Sequence, residues 1–231
     1  MIKKKERSAV ILLSGGLDST TCLAIAKKEK FNLYALTINY GQRHSFEIQS
    51  SKNIAELYKV KKHSVVDIDL TQFGGSALTS NMEVPKKRDL SKFTDIPITY
   101  VPARNTIFLS LALAWAETIK SSNIYIGVNS LDYSGYPDCR PEYISSFENM
   151  ANLATKSGIE GKSIKINTPL INLTKKEIIE LGISLKVDYG RTTSCYDPKI
   201  NGTPCGLCDA CYLRIQGFKS ASIKDPLDYS D

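Results

Sequence analysis

Histidine is almost missing from this chain: two of 231 residues, His44 and His63, which is too few for a His-rich catalytic metal site. Two familiar phosphate-binding signatures are also missing, G-x-x-x-x-G-K-[ST] and G-x-G-x-x-G behind a strand. No serine carries the elbow sequence that a Ser-His-Asp hydrolase of the α/β type requires. No apolar run is long enough for a bilayer; the longest patch is Leu109-Ser110-Leu111-Ala112-Leu113-Ala114-Trp115-Ala116. The charged residues 1–7 precede only five apolar residues and then a glycine turn, which reads as a first strand and not as a signal peptide. The expected compartment is therefore the cytoplasm, with no membrane partner. Clustered cysteines there hold metal more often than they form disulfides.

What is present is an ordinary globular composition, 42% apolar and 23% charged, so a sizeable core is available. The net charge of +6 is modest and scattered, and no nucleic-acid footprint follows from it. Apolar runs at 9–13, 33–38, 63–69, 123–128 and 162–167 read as strands, and helical patterns fall at 18–30, 45–58, 106–119, 142–154 and from Thr174 onward. Strands alternating with helices imply an α/β fold, a Rossmann-like doubly wound parallel five-stranded sheet. Its ligands belong beyond the carboxyl ends of the strands. Residues 1–190 would form this nucleotide-binding domain and 191–231 a small metal-binding segment packed on it. The stretch 71–98 breaks the rhythm and reads equally as a surface insertion or as a lid.

The most informative stretch is Ser14-Gly15-Gly16-Leu17-Asp18-Ser19, directly behind the first apolar run. A strand, a glycine turn and a helix start together free several backbone N–H groups toward one anion, and the helix dipole favours negative charge there. Hydroxyls of Ser14, Ser19 and Thr20 can add donors. Further along, Arg104 precedes a strongly apolar helix and either meets a phosphate or simply flanks an Asn105 cap. The loop from Asn129 to Glu142 follows another strand end. Tyr133 and Tyr136 there could stack on a flat ring, with Asp132, Asp138, Arg140 and Glu142 supplying polarity.

Four of the six cysteines lie close to the C-terminus: Cys195, Cys205, Cys208 and Cys211. The run Cys-x2-Cys-x2-Cys with a fourth Cys upstream suits a closed, structural zinc site of four thiolates. An iron–sulfur cluster is the competing reading, disfavoured by the polar, turn-rich segment between the ligands. Cys22 reads as core, and Cys139 has no histidine partner that would make it a nucleophile.

The Ser-Gly-Gly-Leu-Asp-Ser turn resembles the PP-loop of the ATP pyrophosphatase (adenine nucleotide α-hydrolase-like) superfamily. Asn39-Tyr40-Gly41-Gln42-Arg43-His44, Val101-Pro102-Ala103-Arg104-Asn105, the 132–142 loop and the cysteine run are all similar to the 7-cyano-7-deazaguanine synthase family. The resemblance implies an ATP-dependent ligase of queuosine-precursor biosynthesis. Such an enzyme converts 7-carboxy-7-deazaguanine and ammonia to the nitrile, with release of AMP and pyrophosphate. The sequence contains no glutaminase domain, so free ammonia is the expected nitrogen source. The resemblance implies an ATP site of Leu13, Ser14, Gly15, Gly16, Leu17, Asp18, Ser19, Thr20, Asn39, Arg43 and Arg104, with Asp18 near Mg²⁺ and Asp18 and Arg104 catalytic. It implies substrate contacts from Asp132, Tyr133, Tyr136, Asp138, Arg140 and Glu142, one zinc per chain, and a homodimer. A PP-loop enzyme that thiolates tRNA or forms lysidine is the alternative.

Overall fold

The computed structural model describes residues 7–88, 95–131 and 136–230. Five strands, β1 (Ser8–Leu12), β2 (Asn32–Asn39), β3 (Lys62–Asp67), β4 (Asn123–Tyr125) and β5 (Lys165–Asn167), form one parallel sheet in the order β3-β2-β1-β4-β5. Alternate residues of each strand serve opposite faces. Val10, Leu12, Leu36 and Ile38 enter one core, whereas Ala9, Ile11, Leu13, Leu33 and Ala35 enter the other.

Helices cover both faces, as a parallel sheet requires. On the first face lie α3 (Arg104–Thr118), α4 (Pro141–Ala154) and the cysteine cluster. On the second lie α1 (Leu17–Lys28), α6 (Lys175–Ser184), α7 (Asp209–Ser220) and the buried side of α2 (Phe46–Leu57), while α5 (Lys156–Ile159) is one turn behind α4. The chain fills the sheet outward from β1 to β3 and then returns to place β4 on the other side of β1. That reversal opens a crevice at the carboxyl ends of β1 and β4.

Two strands, β4 and β5, are half as long as the apolar runs predict. β4 ends at Tyr125, although Ile126 N still donates to Asn167 O of β5 at 3.1 Å; a Cβ at Gly127 would lie 2.9 Å from the Asp18 carbonyl carbon, so the backbone there runs against the first turn of α1. Before β5, the Lys162 and Ile164 amides donate to Ser157 O and Asn152 Oδ1, at 2.8 Å each, instead of to a neighbouring strand. The stretch 71–98 is irregular, as expected, but its described part is anchored. Ala77, Leu78 and Val84 are buried, Ala77 N donates to Ile98 O at 2.9 Å, and Lys86 pairs with Asp197 at 2.9 Å. Its residues 89–94 lie outside the described ones.

The helix α7 has no counterpart in the apolar pattern. Its buried side is Ala210, Cys211, Arg214, Gly217 and Phe218, a stripe of helical spacing made of residues that carry little apolar signal. Arg214 is buried because its guanidinium makes four hydrogen bonds: two to Asp225 at 2.9 Å, one to Thr192 Oγ1 at 2.6 Å and one to Tyr189 O at 3.0 Å. Among the described residues no helix is long and apolar enough to cross a membrane.

Candidate active site

The glycine turn sits at the reversal point. Gly15 has a φ of 85°, and a Cβ there would fall 2.6 Å from Glu47 O and 2.7 Å from Ser51 N, so only glycine lets the turn lie against α2. Gly16 caps α1 without a side-chain bond, leaving the helix N-terminus facing the crevice. Two serines brace the turn from within: Ser14 N donates to Ser19 Oγ at 3.2 Å, and the two hydroxyls are 3.0 Å apart. The Thr20 hydroxyl donates back to Gly16 O at 2.8 Å and is buried. A second segment approaches from the C-terminal part of the chain, where Ser194 Oγ accepts from Leu17 N at 3.5 Å and Thr193 N donates to Gly15 O at 2.9 Å.

Around the turn lies a pocket of about 210 Å³. Its floor is Leu13, Ser14, Gly16, Leu17, Asp18 and Ser19, and its walls include Leu36, Ile38, Tyr40, Phe108, Tyr136 and Tyr196. Two charged side chains face this space from opposite elements, Arg104 from the first residue of α3 and Glu47 from the first turn of α2. Burial works against the Arg104 charge, but Tyr40, Tyr136, Tyr196 and Asp138 around it hold it protonated. Burial pushes the Glu47 carboxyl up to about 7, with Arg104 pulling the other way. Neither makes an ion pair within 4.0 Å among the described residues. Asp18, by contrast, is committed: Lys175 Nζ donates to both its oxygens, at 2.8 and 2.9 Å.

The residues expected to bind ATP divide in position. Leu13, Ser14, Gly16, Leu17, Asp18, Ser19 and Arg104 line the pocket, Gly15 shapes the turn beneath it, and Thr20 is behind it. Asn39 and Arg43 are elsewhere. Asn39 Nδ2 donates to Asp67 Oδ1 at 2.7 Å across β2 and β3, and Arg43 Nη1 donates to Met82 O at 2.7 Å. Of the residues expected to read the substrate, Tyr136 lines the pocket, its hydroxyl 2.9 Å from Thr99 Oγ1. Asp138, Arg140 and Glu142 line a shallower outer depression with Tyr100 and Tyr143. The two spaces share a wall, because Asp138 Oδ2 accepts from Asn105 N at 3.1 Å and Asn105 faces the inner pocket. Asp132 and Tyr133 lie outside the described residues. Cys139 also faces the pocket, but burial pushes its thiol up to about 12, which keeps it neutral.

Glu47, Lys175 and Ser194 were not legible as site residues. Glu47 had a usable signal, since it opens a helix just past a strand's carboxyl end. Lys175 and Ser194 had none, because only folding carries them across more than 150 residues to the turn.

The four C-terminal cysteines form the second constellation. Cys195, Cys205, Cys208 and Cys211 are buried, none is in a disulfide, and their sulfurs all lie within 4.8 Å of one another. Five backbone amides donate to three of these sulfurs, among them Cys205 N to Cys195 Sγ at 3.2 Å and Cys208 N to Cys205 Sγ at 3.4 Å. Such donors stabilise thiolates, and the cluster is a closed four-sulfur set that fits one metal ion. Its position matters for the pocket: Thr193, Ser194 and Tyr196 of the pocket wall flank Cys195 directly.

The parallel doubly wound sheet with a glycine-turn pocket at its reversal point has the adenine nucleotide α-hydrolase-like, PP-loop type of fold. The fold is shared with a solved 4-thiouridine synthetase–RNA complex with bound ATP, at a TM-score of 0.51, 20% identity, 93% of this chain and 54% of that one. The family model described as "Queuosine biosynthesis protein QueC" matches residues 8–222, and the chain belongs to that family. It is 60% identical over 224 residues to the 7-cyano-7-deazaguanine synthase of Geobacter sp. (strain M21), covering 97% of this chain and 98% of that protein. The 7-cyano-7-deazaguanine synthase of Pelobacter propionicus is likewise 60% identical, over 226 residues.

Proposed function

We propose that the chain acts as a 7-cyano-7-deazaguanine synthase, joining 7-carboxy-7-deazaguanine and ammonia at the expense of ATP and releasing AMP and pyrophosphate. The observation that carries this is the family match across 8–222, which spans both the phosphate turn and the cysteine cluster. The pocket suits the chemistry. A carboxylate is a poor electrophile until its oxygen becomes a leaving group, and transfer of AMP supplies one. Ammonia then gives the amide, and a second activation of the amide oxygen allows its loss to the nitrile.

In this reading Ser14, Gly15, Gly16, Leu17, Asp18, Ser19 and Thr20 form the phosphate cradle, and Arg104 neutralises charge that develops on the phosphate. Asn39 and Arg43 support the strand end and the neighbouring loop through the bonds they make. Tyr136 contacts the deazaguanine, with Asp138, Arg140 and Glu142 in the outer depression and Asp132 and Tyr133 in the same loop as further contacts. Mg²⁺ would be held by the triphosphate together with Asp18, the carboxylate of the turn, and would neutralise phosphate charge there. Zn²⁺ is the metal proposed for the four cysteines, one per chain and structural, pinning 191–230 onto the α/β part formed by the residues up to 190. A cytoplasmic homodimer acting on small molecules, without nucleic acid, completes the proposal; sedimentation equilibrium measures the dimer.

The decisive assay is release of AMP and pyrophosphate from ATP. Release that requires both 7-carboxy-7-deazaguanine and ammonia is the expected outcome. Release that ignores them but responds to tRNA would overturn the reading in favour of an RNA-modifying PP-loop enzyme.

A further inference from the structure

The synthase chemistry needs a base twice, and the pocket contains few groups able to serve. At neutral pH the nitrogen source is ammonium, which has no lone pair with which to attack. After the amide is activated, the nitrogen must shed two protons before a C≡N bond can form. No histidine lines the pocket, the Cys139 thiol is neutral, and the Tyr40 hydroxyl is pushed up to about 12 by burial. Among the described residues two carboxylates line it, Asp18 and Glu47. Both Asp18 oxygens are held by Lys175, whereas the Glu47 carboxylate makes no hydrogen bond or ion pair with any described residue.

Resting on the synthase reading, we infer that the Glu47 carboxylate is the general base that turns ammonium into the attacking ammonia and later strips the amide nitrogen. In the first use Glu47 takes one proton from ammonium. The nitrogen lone pair attacks the adenylated carbonyl carbon, the C–O bond breaks, and AMP leaves with its electron pair; the extra nitrogen proton passes to solvent and the amide remains. In the second use the amide oxygen carries AMP as a cationic imidate. Glu47 removes one N–H proton, and loss of the other accompanies departure of AMP, leaving the nitrile. Between uses the protonated carboxyl returns its proton to solvent.

Position favours this role as much as availability does. Glu47 projects from the first turn of α2, and the backbone of that turn abuts the phosphate turn so closely that Gly15 cannot carry a side chain. An acid there faces the space beside the cradle, with Arg104 and Tyr40 as the charged and titratable groups acting on it and Asp18–Lys175, Tyr136 and Tyr196 around the same pocket. Its pKa of about 7 matches the requirement that a base be half-ionised near the working pH.

The test compares the full-length Glu47→Gln and Glu47→Asp variants with wild type, each checked for a native circular dichroism spectrum. Adenylation is read as 7-carboxy-7-deazaguanine-dependent exchange of pyrophosphate into ATP without ammonia, and acyl transfer to hydroxylamine serves as a nucleophile that is neutral without help. In Glu47→Gln, exchange and hydroxamate formation stay within about threefold of wild type, while amide formation from ammonium falls on the order of 10²–10⁴-fold. The variant's residual rate follows free ammonia and climbs about tenfold per pH unit, without the break near 7 of wild type. Glu47→Asp keeps exchange and recovers part of the amide rate. Undiminished amide formation in Glu47→Gln would overturn the inference. So would exchange falling in parallel with amide formation, which would make Glu47 a phosphate- or metal-site residue. Wild type lacking substrate-dependent exchange would instead overturn the synthase reading.

Discussion

Single side chains in this pocket have stability consequences separable from catalysis. The Glu47 carboxyl has a folded pKa of about 7 against an ordinary 4.5, so the folded protein holds that proton more tightly than the unfolded chain. The associated stability is complete below 4.5 and is lost as pH rises through about 7. Glu47→Gln removes the titration: thermal melting should find it close to wild type near about pH 5 and above wild type near about pH 8. Asp18 and Lys175 depend on each other. Lys175 is 8% exposed and Asp18 20%, so Lys175→Met leaves a largely buried carboxylate without its partner. Urea denaturation should show a loss on the order of 3 kcal/mol, much of it recovered in the Asp18→Asn/Lys175→Met double variant.

Whole elements owe their positions to a few local devices. The capping box of α6, in which Thr174 accepts from Glu177 N at 3.3 Å and Glu177 Oε2 accepts from Thr174 N at 2.8 Å, places the N-cap at Thr174 and so makes Lys175, the partner of Asp18 on α1, the first residue of the helix. Thr174→Ala should cost about 1 kcal/mol in denaturant titration. Gly15→Ala is harsher. It places a side chain at φ 85° and a Cβ 2.6 Å from Glu47 O, so turn and α2 must separate. Substrate-dependent pyrophosphate release should drop at least tenfold, with about 1–2 kcal/mol of stability lost to the left-handed backbone alone. The capping box, the turn and the five strands were legible because each is a local pattern. The stripe of α7 was not, because Arg214 is buried by pairing with Asp225 and a buried ion pair leaves no apolar signature. The early end of β4 was hidden as well, since it depends on how close Gly127 comes to α1.

At the scale of the whole molecule, the cysteine cluster ties the C-terminal segment to the pocket. Thr193, Ser194 and Tyr196 are wall residues held by their attachment to Cys195, while Lys86 and Arg88 pin the 71–88 stretch to Asp197 and Asp209, which lie between cysteines of the cluster in the chain. Removing the proposed zinc with a chelator should therefore lower Tm and raise KM for ATP together, and metal analysis should return one ion per chain before treatment and none after. The amino-acid sequence by itself determined the order of the five parallel strands and helices, the glycine turn and the four clustered cysteines. Each of these is written in residues close together in the chain, where strand period, backbone freedom and ligand spacing act directly. Only the tertiary structure decided which acids remain available in the pocket. Asp18 and Glu47 look alike in sequence, but a lysine from α6, 157 residues away, occupies one and no described residue occupies the other. A carboxylate's role is set by what folds against it, and that is a property of the packed molecule.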